Sequence, residues 1–194
     1  MSKKTSAVIR IVIYSLLAVF LFGLLLIGLK GNLPFRFPAF SYAGSEEYAA
    51  GGGEINAEGI RDIEVNWNSG SVNITVYDGD HIILNESSKD SLEENQRMRY
   101  LSKNGKLTIQ YCAPFRNFRF WDIRVPDKNL EVKIPKELAA PLAKFEINTT
   151  SATVQANGIA TEQLILDSVS GSATLENFQT DKLITDTVSG DIIA

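Results

Sequence analysis

A repeat of 19 residues in the C-terminal part of the chain restricts the fold more than any other feature of the sequence. Residues of similar character recur at intervals of 19 in four sets: Phe145, Leu164 and Leu183; Val154, Ala173 and Ile192; Thr150, Val169 and Val188; Ser151, Ser170 and Ser189. Self-similarity at a fixed period near 20 is typical of a solenoid in which each repeat forms one coil. Equivalent residues then stack on neighbouring coils, about 4.8 Å apart. The sequence therefore predicts apolar columns inside a β-solenoid, with Thr185 interrupting the column that Ile147 and Leu166 begin.

The near-identical segments 167–171 and 186–190, DSVSG and DTVSG, mark the turns of this repeat. Ser, Gly and Asp favour turns because their side chains, or the lack of one, suit the backbone conformations that turns need. A serine that returns at the same position of successive coils predicts a hydrogen-bonded ladder along the turns. Catalysis needs one activated serine in one setting, so the repetition argues against a catalytic role.

The chain before the repeat alternates apolar and polar residues with a period of two. The alternating apolar sets are Ile63, Val65 and Trp67; Val72, Ile74 and Val76; Leu107, Ile109 and Tyr111; Leu130, Val132 and Ile134; a continuous apolar run, Ile82-Ile83-Leu84, follows the turn at 78–80. Such alternation between Gly, Asp and Asn turns is typical of half-buried strands. The predicted fold is all-β, a β-solenoid or repeat sheet with coils of about 19 residues, preceded by one N-terminal transmembrane helix.

The N-terminal segment predicts a membrane anchor. Residues 11–29 carry no charge and would span roughly 28 Å as a helix, close to the hydrocarbon thickness of a bilayer. The run is longer than the apolar core of a signal peptide and no small-residue cleavage site follows it, so an uncleaved helix within residues 8–30 is expected to contact the lipid bilayer. The basic residues before the helix are Lys3, Lys4 and Arg10, against Lys30 and Arg36 after it, which favours a cytoplasmic N-terminus and an extracytoplasmic C-terminal domain.

The sequence thus divides into three segments. Residues 1–30 are the cytoplasmic N-terminus and anchor, residues 31–60 a Pro- and Gly-rich juxtamembrane linker, and residues 61–194 the extracytoplasmic β-repeat domain. The repeat breaks off in mid-coil at Ala194. We therefore expect either a longer product or a last coil that another segment or protein covers, because solenoids normally carry a cap.

The segment 130–155, LEVKIPKELAAPLAKFEINTTSATVQ, followed by the DSVSG and DTVSG units, resembles the bacterial putative-adhesin family of β-strand-repeat proteins, a domain of unknown function. The opening strands at 63–84, IEVNWNSGSVNITVYDGDHIIL, are also similar to that family, so the likeness covers roughly residues 60–194. The resemblance implies an extracytoplasmic β-solenoid, often membrane-anchored, with an adhesive or envelope-related role. It implies no catalytic residues.

Few residues suit catalysis or a transition metal. His81 is the single histidine and Cys112 the single cysteine, so nucleophilic catalysis with a histidine base would depend on a turn residue. Zinc needs several Cys or His ligands. We predict no enzyme activity, with a polysaccharide-active β-helix enzyme as the least favoured alternative, since its acids would have to cluster in one cleft.

Calcium is the more serious metal alternative. Asp167, Asp186 and Asp191 are predicted to lie at coil turns, where stacked carboxylates could share a hard cation. Asp is also a common turn residue, and the glycine-rich nonapeptide of calcium-binding β-rolls is absent. We therefore predict no metal and no cofactor, with a weak calcium site at the turns as an open alternative.

One segment has the composition of a contact surface. Aromatic and arginine residues interleave in an otherwise acidic domain at Phe115, Arg116, Phe118, Arg119, Phe120, Trp121 and Arg124. Such side chains stack on sugars, insert at lipid headgroups or form hot spots of protein interfaces. The alternative is a hairpin whose aromatics cover one end of the core while the arginines are solvated.

Charge excludes a general nucleic-acid binder. Residues 31–194 carry 15 basic against 23 acidic residues, whereas phosphate binding needs clustered Lys and Arg. The sequence therefore predicts a non-catalytic binding, adhesion or scaffold module at the bacterial cell envelope, with envelope proteins or glycans as partners. The alternative is an accessory component of an envelope-stress sensing system that acts through its transmembrane helix.

Overall fold

The structure is a computed structural model that describes residues 19–22, 42–114, 126–139 and 142–194 of the 194-residue chain. Residues 19–22 are helical and exposed, and belong to a different compact unit from the strands. The second unit contains a 3-10 helix, Ser45–Glu47, a short α-helix, Lys136–Ala139, and the following strands: β1 (Ala49–Ala50), β2 (Gly53–Asn56), β3 (Asp62–Trp67), β4 (Gly70–Tyr77), β5 (His81–Ser88), β6 (Arg99–Lys103), β7 (Lys106–Gln110), β8 (Lys128–Pro135), β9 (Leu142–Thr149), β10 (Thr153–Asn157), β11 (Ala160–Ser168), β12 (Ala173–Glu176), β13 (Gln179–Thr187) and β14 (Ile192–Ile193).

The strands form two sheets of seven strands each. The first sheet has the order β1-β6-β7-β3-β9-β11-β13, and the second has the order β14-β12-β10-β4-β8-β5-β2. From β9 onward the chain alternates between the sheets, so each consecutive pair of strands makes one coil. The all-β prediction is confirmed, and the repeat lies in a stack of two-sheet coils.

The register of the parallel ladders confirms the predicted period. In the first sheet Phe145 pairs with Leu164 and Leu164 pairs with Leu183, while in the second sheet Val154 pairs with Ala173 and Ala173 with Ile192. The same columns continue into the earlier strands, where Ile63 pairs with Phe145 and Val72 with Val154. Residues spaced 19 apart therefore lie side by side on neighbouring strands, as the sequence predicts.

The order of the coils in the stack differs from their order along the chain. The pair β7–β8 stacks on the outer side of β3–β4, because β7 and β8 each pair in parallel with the earlier strands. The strand β9 then pairs with β3, so the chain crosses from the outermost parallel coil over β3–β4 to begin the C-terminal repeat. This permutation leaves the apolar columns unbroken, with Leu107 beside Ile63 and Leu130 beside Val72.

Antiparallel strands cover the outer side of the β7–β8 coil. In one sheet β6 pairs with β7 and β1 with β6, and in the other β5 pairs with β8 and β2 with β5. Strands β1 and β2 lie within the range 31–60 that the sequence analysis assigns to a linker. The sequence pattern did not identify these strands, because the segment is rich in Gly and Ile55 is the single buried residue of β2. The polar run 87–99 includes the end of β5, the connection to β6 and the first residue of β6.

The core is one cluster of apolar side chains between the two sheets. Val65, Val72, Ile74, Phe145 and Leu164 are all fully buried. Each such side chain contributes about 1.5–3 kcal/mol by leaving water. Neighbouring coils place equivalent apolar residues side by side. The core therefore runs through the stack without interruption, as far as the last coil.

The turns at one end of the strands explain the Ser-Gly pattern. Ser151 and Ser170 donate their hydroxyls to the carbonyls of Asn68 and Thr150 on the preceding coil, at 3.1 and 3.2 Å. Ser151 and Ser170 therefore form a hydrogen-bonded ladder along the turns, in which both hydroxyls bind backbone rather than the next serine. A Cβ at Gly171 would lie 1.9 Å from the Ala152 carbonyl oxygen, so a side chain there would collide with the neighbouring coil.

Among the residues that the structure describes, no helix is both long and apolar enough to cross a membrane. The predicted anchor at residues 8–30 lies outside the described residues, except for 19–22. It stays a prediction.

We expect Gly171→Ala to destabilise the domain by about 1–3 kcal/mol, because the added methyl group must push apart two coils whose backbones are already in contact. Urea unfolding of the full chain in detergent, followed by circular dichroism, measures the change. The matched control is Ser172→Ala at the adjacent exposed position, which should stay within about 0.5 kcal/mol. Equal stability of the two variants would contradict the close approach of the coils.

Candidate functional site

The predicted contact surface lies outside the described residues. Its members are Phe115, Arg116, Phe118, Arg119, Phe120, Trp121 and Arg124, and the structure describes the chain up to Pro114 and again from Pro126. What the structure does describe is the framework that holds the two ends of this segment.

Both ends of the segment are held by hydrogen bonds, of which the one to Pro126 is buried. On the preceding side, the Ala113 amide donates to the Asn95 carbonyl at 3.0 Å and the Tyr42 hydroxyl donates to the Cys112 carbonyl at 3.0 Å. On the following side, the Tyr111 hydroxyl donates to the carbonyl of Pro126, which is buried. Tyr111 thus ties the residues before the segment directly to the residue after it.

A fully buried lysine lies beside this connection. The ammonium group of Lys128 donates to Oε1 of Glu86 at 2.6 Å, to the Gln96 carbonyl at 2.7 Å and to the Tyr111 carbonyl. An ammonium group has three donors, so these partners satisfy it completely. The lysine side chain is 0% exposed, which makes it unreachable from solvent.

Two aromatic rings enclose the same ammonium group. It lies 3.9 Å from the ring centre of Tyr111 and 4.9 Å from that of Trp67, and these rings contact each other edge to face at 5.0 Å. The Trp67 indole N–H donates to the Lys128 carbonyl at 3.2 Å. Cation–π contacts gain strength away from water. We call Lys128, Glu86, Tyr111 and Trp67 the lysine cluster; it links β3, β5 and β8 to the end of β7.

Burial dominates the electrostatics of the cluster. It lowers the pKa of Lys128, against the opposing effect of the Glu86 carboxylate, which favours the charged amine. Burial raises the pKa of the Tyr111 phenol to about 12 and that of the Cys112 thiol to about 11. Cys112 is therefore a protonated thiol near neutral pH, and a thiol in that state is a poor nucleophile.

The histidine that the sequence singled out is a surface group. His81 Nδ1 lies 2.7 Å from Asp80 Oδ1, and this hydrogen bond raises the pKa of the imidazole. The Tyr77 hydroxyl donates to the His81 carbonyl at 2.6 Å, which fixes the turn. These contacts give His81 a structural role at the start of β5.

Two of the acidic residues of the repeat stack on neighbouring coils, but they lie within strands rather than at the coil turns where the sequence predicted them. Asp167 and Asp186 are side by side on β11 and β13, next to the pair Asn148 and Asn66, whose amides hydrogen-bond at 3.0 Å. Partial burial, followed by the charge of Asp186, raises the pKa of Asp167. Within the described ranges, no group of three or more His, Cys, Asp or Glu side chains is arranged to hold a metal ion.

A shallow groove of about 600 Å³ lies at the opposite ends of the strands from the lysine cluster. Its lining combines apolar residues, such as Ile60 and Leu138, with the acidic residues Glu58, Asp80 and Glu137. At one side of the groove, the Arg61 guanidinium lies 3.8 Å from the Glu162 carboxylate, and both side chains are exposed. The groove therefore resembles an ordinary surface depression between turns.

Comparison with known proteins places the domain in a family. The family model described as Toastrack DUF4097 matches residues 60–194, which is more than half of the chain. The chain belongs to the Toastrack family. The recognition of a domain-of-unknown-function, adhesin-like family from the sequence is thereby confirmed. No curated protein matches the chain.

Among solved structures, the Toastrack domain is similar to a putative cell adhesion protein from Clostridium sporogenes ATCC 15579. The two share 9% sequence identity with a TM-score of 0.43. The match covers 75% of this chain and 97% of the other.

Sequence reasoning missed the lysine cluster. Nothing in the segment around Lys128 distinguishes this residue from a solvated lysine at the start of a strand, and Glu86 is 42 residues away. The available signal was indirect: Trp67 and Tyr111 are large aromatics at the ends of alternating strands, and each carries a polar atom that must find a partner when buried.

We expect Lys128→Met to destabilise the Toastrack domain by about 3–5 kcal/mol, because it leaves the Glu86 carboxylate buried without its counter-ion. Adding Glu86→Gln should recover much of this loss, since glutamine keeps an acceptor for the Met98 amide, which Glu86 binds at 2.9 Å. Urea unfolding of the full chain measures both changes.

The matched control is Lys133→Met on the same strand, whose ion pair with Glu131 is partly exposed. Exposed pairs contribute little, so this variant should lose no more than about 1 kcal/mol. Equal effects of the two lysine substitutions would contradict the special role of the buried cluster.

Proposed function

We propose that this Toastrack protein is a non-catalytic adhesion or scaffold module of the bacterial cell envelope, which contacts envelope proteins or glycans through the segment 115–124. The helix within residues 8–30 holds the module at the cell membrane, with the N-terminus in the cytoplasm and the β-repeat domain outside.

The observation that carries the proposal is the lysine cluster at the base of this segment. Lys128 and Tyr111 fix the chain on both sides of the segment, through the Tyr111 carbonyl and the buried Pro126 carbonyl. Holding both ends lowers the conformational entropy that a binding segment loses when it meets its partner. A buried network of this kind serves as a foundation for a binding segment rather than as a reaction centre.

The composition of the segment supplies the recognition chemistry. Its four aromatic residues offer faces for stacking on sugar rings or on protein side chains, and its three arginines offer planar donors for carboxylates and for carbonyls. The rest of the domain is acidic, so this basic aromatic segment differs in charge from the surface around it.

The groups that would have to perform chemistry support a non-catalytic role. Cys112 is buried with a raised pKa, Lys128 is enclosed, and the exposed imidazole of His81 is bound to Asp80. The serines at the turns donate to backbone carbonyls of the neighbouring coil, which is a structural arrangement.

We expect replacement of Phe118 and Trp121 by serine to reduce binding to the envelope at least about tenfold, since hot-spot aromatics each contribute about 2 kcal/mol or more to an interface. A photo-crosslinking amino acid at position 120 captures a protein partner in intact cells. Co-sedimentation with purified peptidoglycan sacculi measures binding to glycans.

The matched control is Asn117→Ser within the same segment, which should retain capture and co-sedimentation. Thermal unfolding of each variant checks that the domain stays folded. Unchanged capture and sedimentation by the double variant would contradict a contact role for the segment.

A further inference from the structure

The groove at the far ends of the strands has an uneven charge. In shape it is an ordinary depression, and its volume of about 600 Å³ lies within the range of ligand sites. Its lining, however, contains four carboxylates, Glu58, Asp80, Glu137 and Glu162, against Arg61 as the one basic side chain among its described lining residues. A negative groove of this kind favours an occupant that carries positive charge.

Two of these carboxylates have no cation of their own. Glu162 lies 3.8 Å from the Arg61 guanidinium. Glu58 and Glu137, by contrast, are exposed, and neither forms an ion pair with any residue that the structure describes. Glu58 lies in the turn between β2 and β3, and Glu137 lies in the short helix after β8, so the two come from separate parts of the chain. Both are free to meet a cation from another molecule.

The floor between the carboxylates is apolar. It is formed by Ala57 and Ile60 from the turn before β3, together with Pro135 and Leu138 from the end of β8 and the short helix. Aromatic side chains suit such a floor, and so does the apolar stem of an arginine whose charged head remains at the rim. The groove therefore fits a segment in which aromatic and arginine residues alternate.

The chain itself contains a segment of this composition. Residues 115–124 include four aromatic residues and three arginines, with Asp122 as the one acidic residue. The segment has a net positive charge, whereas residues 31–194 as a whole carry 15 basic against 23 acidic residues. The segment and the groove are therefore complementary in charge and in apolar character.

The segment is too short to occupy the groove of its own molecule. Strand β8 runs from Lys128, in the lysine cluster, to Pro135, in the groove, and its eight residues span roughly 23 Å. The chain from Pro114 to Pro126 leaves the cluster end of the strands and returns to it, so half of its twelve steps give a reach of at most about 22 Å. A fully extended tip would still fall short, and the sheets block the direct path. The groove can receive this segment from another molecule alone.

We propose that the segment 115–124 of one molecule docks in the groove of a second copy of this chain, with its arginines at Glu58 and Glu137 and its aromatic rings on the apolar floor. Because the two surfaces lie at opposite ends of the strands, each docked copy keeps one free segment and one free groove. The contact is therefore head-to-tail and adds further copies in a row. The inference rests on the contact role proposed above for the segment, and it names this chain as a partner.

Two variants of the full chain, purified in detergent, each remove one half of the contact. The groove variant, Glu58→Lys with Glu137→Lys, keeps the native segment. The segment variant, Phe118→Ser with Trp121→Ser, keeps the native groove. Each should associate at least about tenfold more weakly than the native chain, the first because it places like charges together and the second because it removes aromatic anchors.

Mixing the two variants separates a head-to-tail contact from a symmetric one. The native segment of the groove variant should dock in the native groove of the segment variant, so that the mixture forms dimers although neither variant does so alone. These dimers should not grow, because the two remaining surfaces are both altered. Light scattering after size exclusion, over a range of protein concentrations, gives the mass of the protein in the micelle.

The matched control is Asp181→Lys, which reverses an exposed acidic residue outside the groove and should associate like the native chain. Thermal unfolding of every variant checks that the domain stays folded. Raising the ionic strength should weaken association of the native chain, since the rim charges are exposed.

A native chain that stays monomeric at all concentrations would overturn the proposal. So would a groove variant that associates like the native chain, or a mixture that associates no more than its two components. If both variants associate like the native chain, another surface makes the contact and the proposal is wrong.

The contact role of the segment fails by a different result. The groove variant keeps the native segment, so it should still co-sediment with sacculi and should still be captured through position 120. If the native chain is monomeric while the segment variant loses envelope binding, the docking proposal alone fails. If the segment variant keeps both envelope binding and self-association, both proposals fail.

Discussion

The in-register parallel pairing of successive coils is the constraint on which the rest of the structure depends. It aligns residues 19 apart, so that Phe145 lies beside Leu164 and Val154 beside Ala173. Each column therefore faces either the core or the solvent, and the core columns are buried as far as the last coil, where Leu183 is 39% exposed. The same approach of backbones requires a very small residue at the turn, where Gly171 faces the Ala152 carbonyl. A repeat unit has no complete core of its own, which is why stability comes from stacking.

The lysine cluster extends this stack where the pattern of the repeat ends. Lys128 begins β8, pairs with Gly70 of β4 and binds Glu86 of β5, so that one buried ion pair joins parallel coils to the antiparallel cap. Buried ion pairs are weak sources of net stability but are costly to break singly. The cluster therefore fixes how the cap and the ends of the segment 115–124 are placed. Rigid support of this kind suits the contact role that we propose for the segment 115–124.

The sequence predicted the repeat well because its signal is periodic. The columns through Leu164 and Ala173, the turn serines and the interruption at Thr185, which is exposed, all follow from spacing alone. The order of the coils in the stack could not be predicted from the sequence. It depends, like the antiparallel cap and the position of β7–β8, on contacts between distant residues rather than on a local pattern. The burial of Lys128 was also hidden, because its partners come from three other parts of the chain. The aromatic–arginine segment, by contrast, was found from composition and lies outside the described residues.

The stack of coils, the lysine cluster and the composition of the segment 115–124 support the proposal that this domain makes contacts rather than performs chemistry. That role has meaning at the envelope only if the domain lies outside the membrane. Reporter fusions at Lys30 and at Ala194 test this most directly, with alkaline phosphatase active only outside the cytoplasm and a fluorescent protein such as GFP active only inside. The account predicts phosphatase activity from both positions and no fluorescence from either. Fluorescence with no phosphatase activity at Ala194 would place the β-repeat domain in the cytoplasm and contradict the account.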